Sequence, residues 1–111
     1  MTRSEFTLID GVPTGFCIAG HTGFGHAGED IVCAAVSSAA YMAANTITEV
    51  CGCSAAVTVE DGRLCVQVSP EEAAACRCIL EGLRLHMQAL REQYPAHIEV
   101  TITEGTSHAE H

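Results

Sequence analysis

A cysteine that follows a segment rich in glycine and histidine is the feature of this sequence best suited to covalent chemistry. Residues 20–29 hold four glycines and two histidines, and an apolar, alanine-rich stretch containing Cys33 follows. The glycines predict a loop and the stretch predicts a helix with Cys33 in its first turn. Unpaired N–H groups and the helix dipole favour a thiolate there, within reach of His21 or His26. The pattern indicates an acyl-transfer nucleophile with helix N–H groups for the oxyanion; a core-packing cysteine is the alternative.

A nucleotide-binding motif overlaps the same loop. Gly23-x-Gly25-x-x-Gly28, with Glu49 about 20 residues further on, matches the dinucleotide fingerprint. Two acidic residues at the helix entrance would repel a pyrophosphate, and a hairpin precedes the motif where a βαβ unit is expected. A Walker A site is excluded because the chain contains no lysine. We therefore rank a nucleotide-binding domain below a thiol enzyme.

The chain contains seven cysteines, an odd number in a sequence without the features of a secretion signal. We expect thiols, not disulfides. Cys51-x-Cys53 and Cys76-x-Cys78 resemble halves of a four-thiolate zinc site, but such sites usually have two intervening residues. The sequence therefore predicts no metal and no cofactor. The six cysteines other than Cys33 are expected to be packing residues: Cys17, Cys51, Cys53, Cys65, Cys76 and Cys78.

Composition limits the classes of partner. The 111 residues suit one domain, 48% are hydrophobic, and 14 acidic residues against five arginines give a net charge of −9. Such a surface repels nucleic acid and anionic membranes and attracts basic partners. No apolar run reaches the roughly 18 residues of a membrane span. We expect a cytoplasmic protein that binds neither nucleic acid nor membrane.

Periodicity and turn residues predict an α+β domain of order ββαββαβ, with two helices packed on a mostly antiparallel sheet. Asp61-Gly62 predicts a tight hairpin turn, Asp30 is the expected N-cap of the first helix, and Ser69 with Glu72 the expected capping box of the second. The first helix is apolar nearly all round and should be buried. The expected strands are 5–9, 16–19, 55–60, 63–68 and 98–102; the helices are 31–46 and 70–93. The domain is assigned to residues 1–104 and a polar tail to 105–111.

The run GHTGFGHAGEDIVCAAVS, residues 20–37, resembles the ribosomal-processing cysteine protease family, Prp. Members carry Gly-His, a glycine-rich loop and then Asp-Ile-Val-Cys-Ala, with twelve positions from histidine to cysteine. The spacing from His21 to Cys33 is the same here. The resemblance implies that His21 is the base and Cys33 the nucleophile, with Gly20, Asp30 and Ser37 in supporting positions. It also implies a flexible loop that contains Gly23, Gly25 and Gly28.

The resemblance further implies a substrate and an assembly. Family members remove a short N-terminal extension from ribosomal protein twenty-seven of the large subunit, cutting after paired aromatic residues, and they are compact homodimers. A basic ribosomal substrate suits the acidic surface. Thr22 departs from the family's alanine after the histidine, and His26 is an extra histidine in the loop. The alternative from another functional class is a non-enzymatic dimer that binds a peptide or protein.

Overall fold

The computed structural model describes residues 1–20 and 27–105, with the backbone alone for 27–30. It forms a five-stranded sheet and a helical layer in the predicted order ββαββαβ, so the α+β prediction is confirmed. The strands are β1 Thr2–Ile9, β2 Val12–Ala19, β3 Ala55–Glu60, β4 Arg63–Val68 and β5 Ile98–Gly105; the helices are α1 Ala27–Asn45, α2 Pro70–Ala73 and α3 Arg77–Gln93.

The sheet has the strand order β3-β4-β2-β1-β5. The β1–β5 pair is parallel and the other three pairs are antiparallel, as expected of two hairpins joined side by side. Strands β2 and β3 flank α1 in the chain but are not neighbours in the sheet. The βαβ unit of a dinucleotide site is therefore absent from the described part of the chain.

The core lies between one face of the sheet and the helices. Along β1, buried residues alternate with less buried ones, so that Thr2, Ser4, Phe6 and Leu8 point towards the helices. Two of these four are polar, which is unusual for a core-facing row. The largest apolar residues that close the core are Phe6, Phe16, Ile47, Leu80, Met87 and Ile98.

Helix α1 begins earlier than the sequence predicts. It starts at Ala27, so Asp30 is its fourth residue and not the N-cap, and Cys33 is its seventh residue and not in the first turn. At 1.5 Å per residue, Cys33 lies about 9 Å along the axis from the helix start. The helix then continues into a π-helical turn at Thr46–Val50.

The prediction that α1 is buried all round is also wrong. Ile31, Tyr41 and Met42 are exposed, whereas Val32, Val36 and Ile47 are buried on the opposite side. Counted with its π turn, the stretch Ile31–Val50 is long and apolar enough to cross a membrane, contrary to the expectation from sequence. Its buried side packs in the protein core, as the central helix of a two-layer domain does.

The second helical segment begins at the predicted Pro70 but is interrupted. A 3-10 turn at Ala74–Cys76 separates α2 from α3. The predicted capping box does not form: the Ser69 side chain makes no capping hydrogen bond. The Glu72 carboxylate instead accepts a hydrogen bond from the Ser54 backbone N–H at 2.9 Å. Glu72 therefore ties the loop before β3 to the start of α2.

Candidate active site

A pocket of about 240 Å³ opens where β1, α1 and the β3–β4 turn meet. Strand β1 contributes Thr2, and Gly20, the residue that follows β2, also lines the pocket. Cys33 and Ser37 lie one turn apart on α1 and line the same pocket. The structure thus brings together three residues that the sequence predicts for the site, namely Gly20, Cys33 and Ser37.

Cys33 is set into the wall of this pocket. Only 7% of its surface is exposed, and it takes part in no disulfide. Its Sγ lies 3.3 Å from Thr2 Oγ1, in a buried contact between residues far apart in sequence. Since α1 and β1 both carry core residues, the packing of the helix on the sheet fixes the sulfur in place.

The β3–β4 turn forms the polar side of the pocket. Glu60, Asp61 and Arg63 line it together with Gly62. Gly62 has a φ of 75°, the left-handed conformation that suits glycine in a tight hairpin turn. Its carbonyl accepts a hydrogen bond from the Gly20 N–H at 3.0 Å. The turn is therefore attached to the end of β2, where the segment containing His21 begins.

Comparison with known proteins places this chain in a family. A family model described as Cysteine protease Prp matches residues 1–99. The chain belongs to the cysteine protease Prp family. The chain is accordingly an enzyme, a cysteine protease, and not the non-enzymatic module or the nucleotide-binding domain considered from the sequence. No curated protein matches the sequence.

Solved structures share the Prp fold. SMU.848 from Streptococcus mutans superposes with a TM-score of 0.83 at 24% identity, over 94% of this chain and 95% of that one. The ribosomal processing protease Prp from S. aureus, in complex with a substrate peptide, gives a TM-score of 0.83 at 23% identity, over 93% and 100% of the two chains. The same protease with a covalently linked product peptide gives 0.81 at 24% identity, over 93% and 100%. At these identities the likeness concerns the fold.

Several residues predicted for the Prp site lie outside the described residues. They are His21, His26, Gly23 and Gly25. Gly28 and Asp30 belong to the first residues of α1, where the structure gives the backbone only. Four further residues line the pocket and were not predicted from the sequence: Thr2, Glu60, Asp61 and Arg63. A polar residue at a core-facing position of β1 was a usable signal for Thr2, but β1 was expected to begin only at Glu5.

The prediction that all seven cysteines are thiols is wrong for one pair. Cys17 on β2 and Cys65 on β4 form a disulfide, with their Cα atoms 4.1 Å apart. They occupy directly paired positions of the two antiparallel strands. The Arg63 side chain donates a hydrogen bond from Nε to the Cys65 Sγ at 3.3 Å. The pairing of β2 with β4 creates this proximity.

Cys53 and Cys76 form a buried pair of thiols away from the pocket. Each donates a hydrogen bond from Sγ to the Glu72 carbonyl at 3.8 Å. Burial, followed by the charge of Cys53, raises the pKa of the Cys76 thiol to about 11. Burial also raises the pKa of Cys53. These two thiols are kept neutral and poorly nucleophilic. In the described part of the chain, no three His, Cys, Asp or Glu side chains are placed to hold a metal.

Proposed function

We propose that this protease removes the N-terminal extension of a large-subunit ribosomal protein precursor, ribosomal protein twenty-seven, with Cys33 as the nucleophile. The observation that carries the proposal is the Cys33 thiol in the wall of a pocket, in a chain that belongs to the Prp family. The related protease from S. aureus has been solved with a substrate peptide and with a covalently linked product peptide. A covalent adduct is what a cysteine nucleophile forms during peptide cleavage.

His21 is the proposed base. It is the residue next to Gly20, which lines the pocket, and consecutive Cα atoms are about 3.8 Å apart. In the first step, His21 takes the thiol proton and Cys33 Sγ attacks the scissile carbonyl carbon. The peptide C–N bond then breaks, and the amine leaves with the proton that His21 held. Water then hydrolyses the resulting thioester. This step releases the second product as a carboxylic acid and regenerates the Cys33 thiol.

The oxyanion of the tetrahedral intermediate needs donors other than those expected from the sequence. The unpaired N–H groups of α1 belong to its first four residues, which lie about 4.5–9 Å along the helix axis from Cys33. The influence of the helix dipole also falls off within the first turn. We therefore do not assign the oxyanion to the start of α1.

Charge supports a basic substrate. The chain carries a net charge of −9, and two of the three charged residues described in the lining of the pocket are acidic, Glu60 and Asp61 beside Arg63. Acidic groups around a cleft raise the local concentration of a basic ligand and speed its capture. Ribosomal proteins are basic because they bind RNA phosphates, so a ribosomal precursor suits this surface.

An apolar surface supports assembly as a homodimer. On the edge strand β3, Val57 and Val59 pair with the buried Val66 and Leu64 of β4, yet they are 43% and 58% exposed. The helical layer therefore leaves β3 uncovered, and α1 adds the exposed Tyr41 and Met42. An uncovered edge strand with apolar side chains is a site for pairing with another chain. Light scattering on the wild type and on a Val59→Lys variant tests this assembly. We expect twice the chain mass for the wild type and the mass of a single chain for Val59→Lys.

The decisive experiment for the proposed function uses a peptide copied from the precursor extension of the same host. Cys33→Ala and His21→Ala should each abolish cleavage, measured by mass spectrometry of the products. Cys78→Ala is the matched control, because Cys78 is exposed on α3 and does not line the pocket. Wild-type cleavage rates in both site variants would refute the assignment of the nucleophile and the base.

A further inference from the structure

The side chain of Thr2 is buried directly against the proposed nucleophile. Only 2% of Thr2 is exposed, and its Oγ1 lies 3.3 Å from Cys33 Sγ. We infer that Thr2 is a positioning residue of the protease, whose hydroxyl donates a hydrogen bond to the Cys33 thiolate. The inference rests on the proposed function, since that proposal assigns Cys33 as the nucleophile.

Thr2 is held rigidly enough to orient a neighbour. It lies on β1, which is paired with β2 on one side and with β5 on the other. Its backbone N–H donates a hydrogen bond to the His97 carbonyl at 2.8 Å. The branched Cβ of threonine further restricts χ1. The direction of the hydroxyl is therefore set by the sheet, while Cys33 is set by α1.

Thr2 also contacts the other side of the pocket. A Cβ built on Gly20 would lie 3.1 Å from Thr2 Oγ1 and 3.3 Å from its methyl carbon. The threonine side chain thus fills the space between Gly20, which precedes His21, and the Cys33 sulfur. A single buried side chain links the two segments that carry the proposed base and nucleophile.

The hydrogen bond changes character when Cys33 loses its proton. Between a neutral thiol and a hydroxyl, either group can donate. A thiolate can only accept, so the Thr2 O–H then becomes the donor and keeps its own proton throughout. A hydrogen bond to a charged acceptor is about twice as strong as a neutral one. Thr2 therefore stabilises the reactive form of Cys33 over the resting thiol.

The experiment measures the thiolate without any substrate. Full-length wild type, Thr2→Val, Thr2→Ser and Thr14→Val are pulsed with iodoacetamide near neutral pH and in strongly alkaline buffer. The labelled fraction of the peptide carrying Cys33 is then quantified by mass spectrometry. Thr2→Val keeps the shape and removes the hydroxyl, and Thr2→Ser restores it. Thr14→Val repeats the substitution at a buried threonine whose hydroxyl bonds Gln67, outside the pocket.

We expect Thr2→Val to slow labelling of Cys33 about tenfold near neutral pH, the cost of one hydrogen bond to a charged group. Thr2→Ser and Thr14→Val should stay within about twofold of the wild type, and all rates should converge in alkaline buffer, where the thiol is ionised throughout. Thr2→Ala should behave like Thr2→Val and takes its place if Thr2→Val does not fold.

Equal labelling of folded Thr2→Val and wild type near neutral pH would overturn the inference. So would a loss shared by Thr2→Ser, or a loss that persists in alkaline buffer, because both would indicate packing and not the hydroxyl. The labelling experiment needs no substrate, so it tests the role of Thr2 separately from the proposed function. Failure of the wild type to cleave the precursor peptide would refute the proposed function and would not change the labelling result.

Discussion

Cys17 and Cys65 face each other across the antiparallel pair of β2 and β4 and are joined by a disulfide. The bond closes a loop of 48 residues that contains α1 and the strand β3. It also lies beside Arg63, a residue of the Cys33 pocket. Disulfides are rare in the cytoplasm, so this bond is unusual for the cytoplasmic protein that the sequence predicts.

Reduction of this disulfide should destabilise the protein. A cross-link that closes a loop of this length removes entropy from the unfolded chain worth about 2–4 kcal/mol. Urea unfolding with and without a reductant should show a difference of that size in the free energy of unfolding. The Cys17→Ala/Cys65→Ala double variant should have the free energy of unfolding of the reduced wild type, both with and without the reductant. A wild type with the same stability in both conditions would contradict the prediction.

Replacing Gly20 by alanine should impair the site more than the fold. The new Cβ would stand 3.1 Å from the Thr2 hydroxyl, and Thr2 is buried and cannot move away freely. We expect peptide cleavage to fall about tenfold, with a stability loss of about 1–2 kcal/mol. Adding Thr2→Ser removes the methyl carbon that lies 3.3 Å from the new Cβ and should restore part of the activity.

Gly82→Ala on α3 is the control for that substitution. A Cβ at Gly82 would meet no atom within 4 Å, so cleavage should not change and the helix should gain up to about 1 kcal/mol. Full cleavage activity of Gly20→Ala would contradict the prediction, because it would show that the Thr2 side chain can move without loss of activity.

The buried Cys76 thiol predicts a loss of stability in alkali. Its pKa rises from the ordinary value of 9.0 to about 11 in the folded protein, so the unfolded chain loses this proton first. The free energy of unfolding should therefore fall as the pH rises from about 9 to about 11, by no more than about 1.4 kcal/mol per pH unit. Thermal melts across this range should show a weaker pH dependence for Cys76→Ala. Cys78→Ala, which removes an exposed thiol, should keep the wild-type slope.

Cleavage of a basic precursor peptide should slow as salt rises. Capture by Glu60 and Asp61 is electrostatic, and at physiological ionic strength such attraction is largely screened beyond about 8–10 Å. We expect kcat/KM to fall several-fold with salt while kcat stays nearly constant. The Glu60→Gln/Asp61→Asn variant should lose most of this dependence, whereas Glu92→Gln, an exposed position on α3, should keep it. A salt-independent kcat/KM for the wild type would argue against steering.

Local sequence patterns predicted most of the elements. The hairpin of Ala55–Glu60 and Arg63–Val68 has the expected bounds, because Asp61-Gly62 encodes its own turn. The predicted strand and helix order is confirmed as well. Helix ends were less predictable: α1 starts before Asp30, and Glu72 bonds Ser54 rather than capping its own helix. End positions depend on neighbours that are remote in the chain.

The sequence by itself determined the family, the candidate nucleophile and its neighbours Gly20 and Ser37, because these residues lie within one continuous segment of 18 positions, residues 20–37. Only the tertiary structure decided that Thr2 touches Cys33 and that Cys17 bonds Cys65. Both contacts join residues more than 30 positions apart. They exist because α1 packs over β1 and because β2 pairs with β4. Periodicity predicts each element but not which elements become neighbours, since that depends on how their apolar faces pack into one core.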